Sequence, residues 1–99
     1  MIVVNSVNFN HVPCIVSFVT NLLKDGKHTN VITDSLDLNE SLSSQGVESY
    51  HMVDMFDICM SSEPNTVVVL TDKDNIEDEA YSDLIVENQT YELGRREVV

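Results

Sequence analysis

The spacing of hydrophobic residues changes several times along the chain, and each change predicts a new element. From Val12 to Leu23, apolar residues recur every three or four positions, which is typical of a helix with one buried face. Pro13 falls in the first turn, where its missing N–H is tolerated, and Gly26 supplies a common helix stop. The sequence therefore predicts a helix over residues 11–25.

Runs that are rich in β-branched residues, or that alternate apolar with polar residues, predict the strands. The predicted strands cover residues 2–7, 31–36, 50–60, 66–71, 84–86 and 90–93. The run at 66–71 is the strongest and is expected at the centre of the sheet. The run at 2–7 forms either a short strand or an ordered part of an N-terminal extension. Asn39 can cap a second helix over residues 40–45, which Gly46 ends.

The order of these elements predicts an α+β fold, with two helices packed on a mainly antiparallel sheet of about five strands. Short links between the last strands, above all a hairpin from residues 84–86 to residues 90–93, favour antiparallel pairing. The length of 99 residues suffices for a single domain with one core. Within this domain, residues 1–99, we expect residues 1–10 to be an N-terminal extension and residues 95–99 to be a flexible tail.

Acidic residues dominate the charge of the chain. Seventeen Asp and Glu residues against five Lys and Arg residues give a net charge of −12. Residues 34–94 hold 15 of the acids and only one base, Lys73, so this body alone has a net charge of −14. A body of this charge repels nucleic acid and anionic membranes, and it attracts basic proteins. The hydrophobic fraction of 42% is too high for a disordered acidic segment.

The sequence carries no catalytic or cofactor-binding motif, so we expect neither an enzyme nor a bound cofactor. The segment from Asp72 superficially opens a calcium loop, but Ile76 and Glu77 stand where an EF-hand requires an oxygen ligand and a glycine. His11 and Cys14 lie three residues apart, yet zinc needs two further ligands. We therefore predict no metal site.

The two cysteines and the N-terminal residues bear on the compartment. Cys14 and Cys59 fall on a predicted helix and a predicted strand, and they indicate buried thiols rather than a disulfide. The first residues show neither a basic region nor a long apolar run, so no signal peptide is predicted. No window is apolar over the length of a transmembrane span. We accordingly expect a cytoplasmic protein.

The segment from Asn30 to Leu38 combines a β-branched run with acids and is the main candidate for a recognition surface. On a strand, Asp34 and Leu36 share one face, so a carboxylate and a large apolar side chain point the same way. One interpretation is an exposed sheet edge that the acid protects from pairing with other chains. The other is a recognition edge, in which the acid meets a basic groove of a partner and Leu36 is the apolar anchor of the contact. In either case we expect Asp34 to be exposed.

Four segments, taken in their order and spacing, resemble the small phage-encoded uracil-DNA glycosylase inhibitors. They are Leu22–Lys27, Val31–Leu36, Asn65–Thr71 and Leu84–Asn88. Members of that family place an acidic edge strand in the DNA-binding cleft of the enzyme, and an apolar pocket surrounds a protruding enzyme side chain. The resemblance implies a monomer that binds uracil-DNA glycosylase 1:1 in a host cell and inhibits it by DNA mimicry.

The resemblance also implies which residues meet the partner. Direct contacts are implied for Asp34, Ser35, Leu36, Glu40, Asp72 and Asp74. The apolar pocket is implied to be lined by Leu38, Leu42, Met55, Val68, Leu70 and Ile85. No residue has an implied catalytic or metal-binding role.

Three functions stay open from the sequence. The first is inhibition of uracil-DNA glycosylase, the second is DNA mimicry aimed at another nucleic-acid enzyme such as a restriction or CRISPR effector, and the third is an acidic adaptor for a basic protein. Leu36 beside Asp34 favours the first, because pure charge mimicry needs no apolar anchor. In all three the partner is a basic protein, and neither nucleic acid nor membrane is bound.

Overall fold

Strands alternate with helices along much of the chain. The structure is a computed structural model that describes residues 1–9, 11–52, 64–72 and 79–94. The strands are β1 (Ile2–Asn5), β2 (Asn30–Thr33), β3 (Ser49–His51), β4 (Thr66–Leu70) and β5 (Gln89–Glu92). The helices are α1 (Val12–Leu23), α2 (Leu36–Ser44) and α3 (Glu79–Glu87). None of these helices is long and apolar enough to cross a membrane.

The five strands form one sheet in the order β3–β2–β4–β1–β5, and every neighbouring pair is parallel. The prediction of two helices on a mainly antiparallel sheet is therefore wrong. Of the two interpretations of residues 2–7, the structure shows the short strand, because Val3 of β1 pairs with Val68 on one side and with Thr90 on the other. The prediction that residues 66–71 lie at the centre of the sheet is confirmed by the position of β4.

Helix α3 explains why the antiparallel prediction failed. Residues 84–86, predicted as a strand of a hairpin, lie inside this helix. The connection from β4 to β5 therefore includes a helix, as is usual for a crossover between parallel strands. The helix end is fixed by side chains, since Asn88 Nδ2 donates to the carbonyl of Leu84 over 2.8 Å and Thr90 Oγ1 to that of Ile85 over 2.9 Å. A run of three apolar residues fits a helix and a strand equally well.

Helices cover both faces of the sheet. On one face, Val19 of α1 and Leu42 of α2 are fully buried in a cluster that includes Val67 of β4. On the other face, Leu84 of α3 packs in a second cluster with Val68, the next residue of β4. Right-handed crossovers that leave the sheet centre in opposite directions place their helices on opposite faces. Strand β4 is consequently buried on both sides, which explains its unbroken β-branched run.

Helix α1 agrees with the predicted helix over residues 11–25. His11 caps it, because its Nδ1 accepts the backbone N–H of Cys14 over 3.3 Å. The thiol of Cys14 is exposed, so the prediction of a buried thiol is wrong for this residue. Gly26 lies two residues beyond Lys24, the C-cap of α1. Its φ is 75°, a conformation that favours glycine at helix ends.

Helix α2 begins earlier than the predicted 40–45, because Ser35 rather than Asn39 caps it. Its predicted end at Gly46 is confirmed, with φ 81° at that glycine. The N–H of Gly46 donates to Ser43 and that of Val47 to Leu42, each over 3.1 Å, which is the Schellman pattern of helix termination.

Two further predictions fall partly or wholly outside the described residues. Of the strand predicted over 50–60, the structure shows β3 (Ser49–His51), and residues from 53 to 60 lie outside the described ranges. The tail predicted over 95–99 lies wholly outside them, as does Cys59.

Candidate interaction surface at the carboxyl edge of the sheet

The carboxyl ends of parallel strands meet at one edge of the sheet, and ligands of such sheets bind where the connecting helices change face. In this chain the change occurs between β4 and β1, since α1 and α3 leave these strands on opposite faces. The residues that follow the strands at this edge are Ser6 after β1, Asp34 after β2 and Thr71 after β4. The edge therefore collects polar residues that are distant in the sequence.

Asp34 is the residue that organises this edge. Its Oδ1 accepts the backbone N–H of Thr71 over 2.9 Å and the Thr71 hydroxyl over 2.6 Å, while its Oδ2 accepts the backbone N–H of Asp72 over 3.1 Å. The side chain is half-buried, and β2 pairs with strands on both sides. The prediction of an exposed sheet edge at this segment is therefore wrong. The carboxylate acts as a clamp between β2 and the segment after β4.

Ser35 also makes internal contacts. Its Oγ accepts the backbone N–H of Leu38 over 3.2 Å, which satisfies a free donor in the first turn of α2. Its own N–H donates to Thr33 Oγ1 over 3.1 Å. Ser35 therefore fixes the direction in which α2 leaves the sheet.

Leu36 and Glu40, two of the predicted contact residues, are exposed and lie one helical turn apart on α2. Leu36 keeps 54% of its surface exposed, although it is a large apolar side chain. Asp37, beside it in the first turn, is exposed as well, and Asp72 is exposed after β4. We call Leu36, Asp37, Glu40 and Asp72 the carboxyl-edge surface.

Sequence reasoning missed Asp37, because the segment was interpreted as a strand until Leu36. The signal was present: Ser35 is a good N-cap residue, and an acid in the following turn is typical of a helix start. Asp74, predicted as a contact residue, lies outside the described residues.

The predicted apolar pocket is not formed by the residues that the structure describes. Leu38 and Leu42 are fully buried on the face that α1 and α2 cover. Val68 and Leu70 are fully buried on the opposite face, and Ile85 packs against them from α3. The sheet separates the two groups, so they belong to two cores rather than to one surface pocket. Met55 lies outside the described residues.

The carboxyl edge is poorly suited to a nucleotide phosphate. The loop from Ser6 to His11 contains no glycine, whereas phosphate loops rely on glycines for a close approach of the backbone. The buried Ser6 hydroxyl donates to the carbonyl of Leu70 over 3.1 Å, and the imidazole of His11 already caps α1. The carboxylates of Asp34 and Asp72 lie at the same edge of the sheet and repel a phosphate.

A metal site is likewise missing from the described part of the chain, where no three His, Cys, Asp or Glu side chains are grouped to hold an ion. No protein-family model, curated protein or solved structure matches the chain. A function therefore has to be inferred from the charge and shape of the surface.

Proposed function

We propose that this protein binds a basic, nucleic-acid-binding surface of another protein and blocks it by mimicking the charge of DNA. The distribution of exposed charge carries this proposal. The exposed acids on α2, after β4 and on α3 are Asp37, Glu40, Asp72, Glu79, Asp83 and Glu87. Asp25, Glu48 and Glu92 are exposed as well. The basic residues of the described chain are Lys24 and Lys27, which both lie just after α1.

The physical basis is the field that DNA itself presents. Duplex DNA carries one negative charge per roughly 1.7 Å of helix axis, and proteins that bind it offer clefts lined with lysine and arginine. A compact domain with a net charge of −12 is attracted to such a cleft at an enhanced rate. The domain is a polypeptide, so a DNA-processing enzyme that binds it finds no glycosidic or phosphodiester bond to cleave.

Among the residues that the structure describes, the carboxyl-edge surface suits this contact best. It combines three exposed acids with the exposed side chain of Leu36. The acids favour encounter with a basic surface, whereas burial of an apolar side chain mainly slows dissociation. Asp34 directly precedes Ser35, the N-cap of α2, and binds the backbone of the segment after β4, so it links the two segments that carry these acids.

Uracil-DNA glycosylase is the partner that the sequence resemblance implies, and it is the first to test. The edge-strand contact of that inhibitor family cannot be transferred, because β2 lies inside the sheet. We place the contact on the carboxyl-edge surface instead, in a 1:1 complex with an enzyme of the host cytoplasm. A different DNA-processing enzyme with a basic cleft is the alternative target.

Uracil excision by the glycosylase, measured with and without purified protein, tests the proposal. We expect a stoichiometric amount to abolish excision, and excess duplex DNA to compete. Unchanged excision would exclude the glycosylase as target, and a panel of restriction and CRISPR nucleases would then be assayed in the same way. If no enzyme in the panel binds or loses activity, charge mimicry of DNA is the wrong function.

Matched variants locate the contact. Leu36→Ala and Glu40→Gln each alter the carboxyl-edge surface, and we expect each to weaken binding by about tenfold, the typical loss at a central contact residue. Glu87→Gln makes the same charge change on α3, on the other face of the sheet. It should slow association slightly and leave dissociation unchanged. Equal losses for Glu40→Gln and Glu87→Gln would show that net charge alone matters.

A further inference from the structure

A cavity of about 480 Å³ lies at the opposite, amino edge of the sheet. It is formed where β2, β3 and β4 begin, on the face that also carries α3. Its lining residues are Thr29, Asn30, Ile32, Glu48, Tyr50, Met52 and Asn65. The volume lies within the range of small-molecule sites, roughly 300–1,000 Å³. None of these residues belongs to the carboxyl-edge surface.

The apolar part of the lining comes from adjacent strands. Tyr50 of β3 is the register partner of Ile32 of β2, so their side chains project from the same face of the sheet. Ile32 is 1% exposed, whereas Tyr50 is 43% exposed. Met52 continues this face and packs against the same core. A flat ring that entered the cavity would meet an aromatic face and a polarisable thioether.

The polar part of the lining offers acceptors and one negative charge. Glu48 Oε1 accepts the Tyr50 hydroxyl over 2.5 Å, and this hydrogen bond, followed by the negative charge of Glu48, raises the pKa of Tyr50. Asn65 uses its Nδ2 to donate to Thr29 Oγ1 over 2.6 Å, and the Oδ1 of the same amide is an acceptor. Glu48 is the one charged residue among the described lining, and it is exposed.

We propose that this amino-edge cavity binds a small planar aromatic cation that carries N–H donors, such as an aryl amidine. The Glu48 carboxylate would accept charge-assisted hydrogen bonds from the cation, and the side-chain Oδ1 of Asn65 would accept a further N–H. The ring of the ligand would stack on Tyr50, where a cation is attracted to the aromatic face. The net charge of the chain disfavours an anion of the same shape. This site is independent of the proposed inhibition.

Three ligands of nearly equal shape separate these contributions. Benzamidine is a cation with N–H donors, benzamide is neutral, and benzoate is an anion without donors. In ¹H–¹⁵N NMR titrations of the full chain, we expect saturable shifts at Thr29, Tyr50 and Asn65, with affinity falling from benzamidine to benzamide to benzoate. Equal affinity for benzoate, absence of saturation with benzamidine, or shifts centred elsewhere would each overturn the assignment.

Charge-matched variants test the role of Glu48. Glu48→Gln retains the shape but loses the charge, and we expect benzamidine to bind about tenfold more weakly, since charge-assisted hydrogen bonds are about twice as strong as neutral ones. Glu40→Gln makes the same charge change on the opposite face of the sheet and should leave benzamidine affinity unchanged. The spectrum of each free variant reports its fold. If both variants weaken benzamidine binding equally, net charge alone explains the effect, and the assignment of the site is wrong.

Discussion

Thr71 donates its backbone N–H to Oδ1 of Asp34 over 2.9 Å, and it donates its hydroxyl to the same oxygen over 2.6 Å. The two residues are 37 positions apart in the chain, and each directly follows one of two neighbouring parallel strands. The sequence predicts that this acid is exposed at a sheet edge, but its hydrogen bonds connect the end of β2 to the segment after β4. The consequence is that a change at Asp34 affects folding before it affects binding.

Asp34→Ala removes three accepted hydrogen bonds and leaves their donors without this acceptor. We expect the free energy of unfolding to fall by about 1–3 kcal/mol, the cost of leaving such donors unsatisfied. Urea unfolding followed by circular dichroism measures it. Glu40→Ala makes the same charge change at an exposed helical position and should change stability by less than about 0.5 kcal/mol. Similar losses in the two variants would argue against the clamp.

Val4 tests whether the N-terminal residues are part of the core. This side chain is fully buried in β1, which pairs with β4 and β5. We expect Val4→Ala to lower the free energy of unfolding by about 1–3 kcal/mol. Val86→Ala is the matched control, because Val86 is 83% exposed on α3. If Val4→Ala leaves the free energy of unfolding unchanged, residues 1–10 would be an extension and not part of the core.

Gly94 allows the segment after β5 to approach the loop after β1. A Cβ at this position would lie 2.8 Å from the carbonyl oxygen of Asn8 and 2.8 Å from Cβ of Phe9, and φ is +78°. Gly46 has φ +81°, and a Cβ added there would meet nothing within 4 Å. We expect Gly46→Ala to cost about 1–2 kcal/mol from backbone strain alone. Gly94→Ala should cost clearly more in the same urea titrations, and equal costs would mean that the close approach is easily relieved.

The pKa of Tyr50 is raised above its ordinary value of 10.0, first by the hydrogen bond to Glu48 and then by the charge of that carboxylate. The phenol is therefore held protonated more firmly in the folded chain than in the unfolded one. Its contribution to stability is present below pH 10.0 and is lost as the pH rises through the raised pKa. Tyrosine-selective ¹³C NMR follows this titration, and Glu48→Gln should lower the pKa of Tyr50. An unchanged pKa in that variant would contradict the contact.

Salt separates the two parts of the proposed partner contact. The Debye length falls to about 3 Å at 1 M ionic strength, so charge-driven association with the partner should slow steeply. Dissociation should change little, because the apolar contact of Leu36 is not screened. Stopped-flow association and competition-chase dissociation measure the two rates. Dissociation that accelerates as steeply as association slows would indicate contact by charge alone.

Local patterns predicted the elements that depend on local chemistry. The spacing of apolar residues predicted α1, the glycine at position 46 predicted the end of α2, and the β-branched run predicted β4. Strand direction depends on the path of the connections instead, and the apolar triplet at 84–86 does not reveal that it is helical. One signal was available: Ile2–Val4 and Val67–Leu70 are apolar without alternation, which is typical of strands buried on both faces of a parallel sheet.

The candidate surface was predicted in composition but not in geometry. Leu36, Glu40 and Asp72 are exposed, as a contact surface requires, but a helix rather than a strand presents the first two. The position of Asp34 could not be predicted, because its acceptor role depends on a hydrogen-bond donor that only the folded chain brings near. The same holds for the pocket residues, since hydrophobicity marks burial without indicating on which face of the sheet a side chain lies.

The position of β1 has a consequence for how the protein is made. This strand leaves the ribosome well before its two neighbours in the sheet, β4 and β5, because they follow it at residues 66–70 and 89–92. Contacts of such long sequence separation form slowly, because a long loop must close before they stabilise the chain. During translation, the apolar residues of β1 stay without their strand partners until those later residues have emerged. We therefore expect the five-stranded sheet to be complete only after β5 is synthesised. Until then, the many acidic residues would help to keep the incompletely folded chain from aggregating.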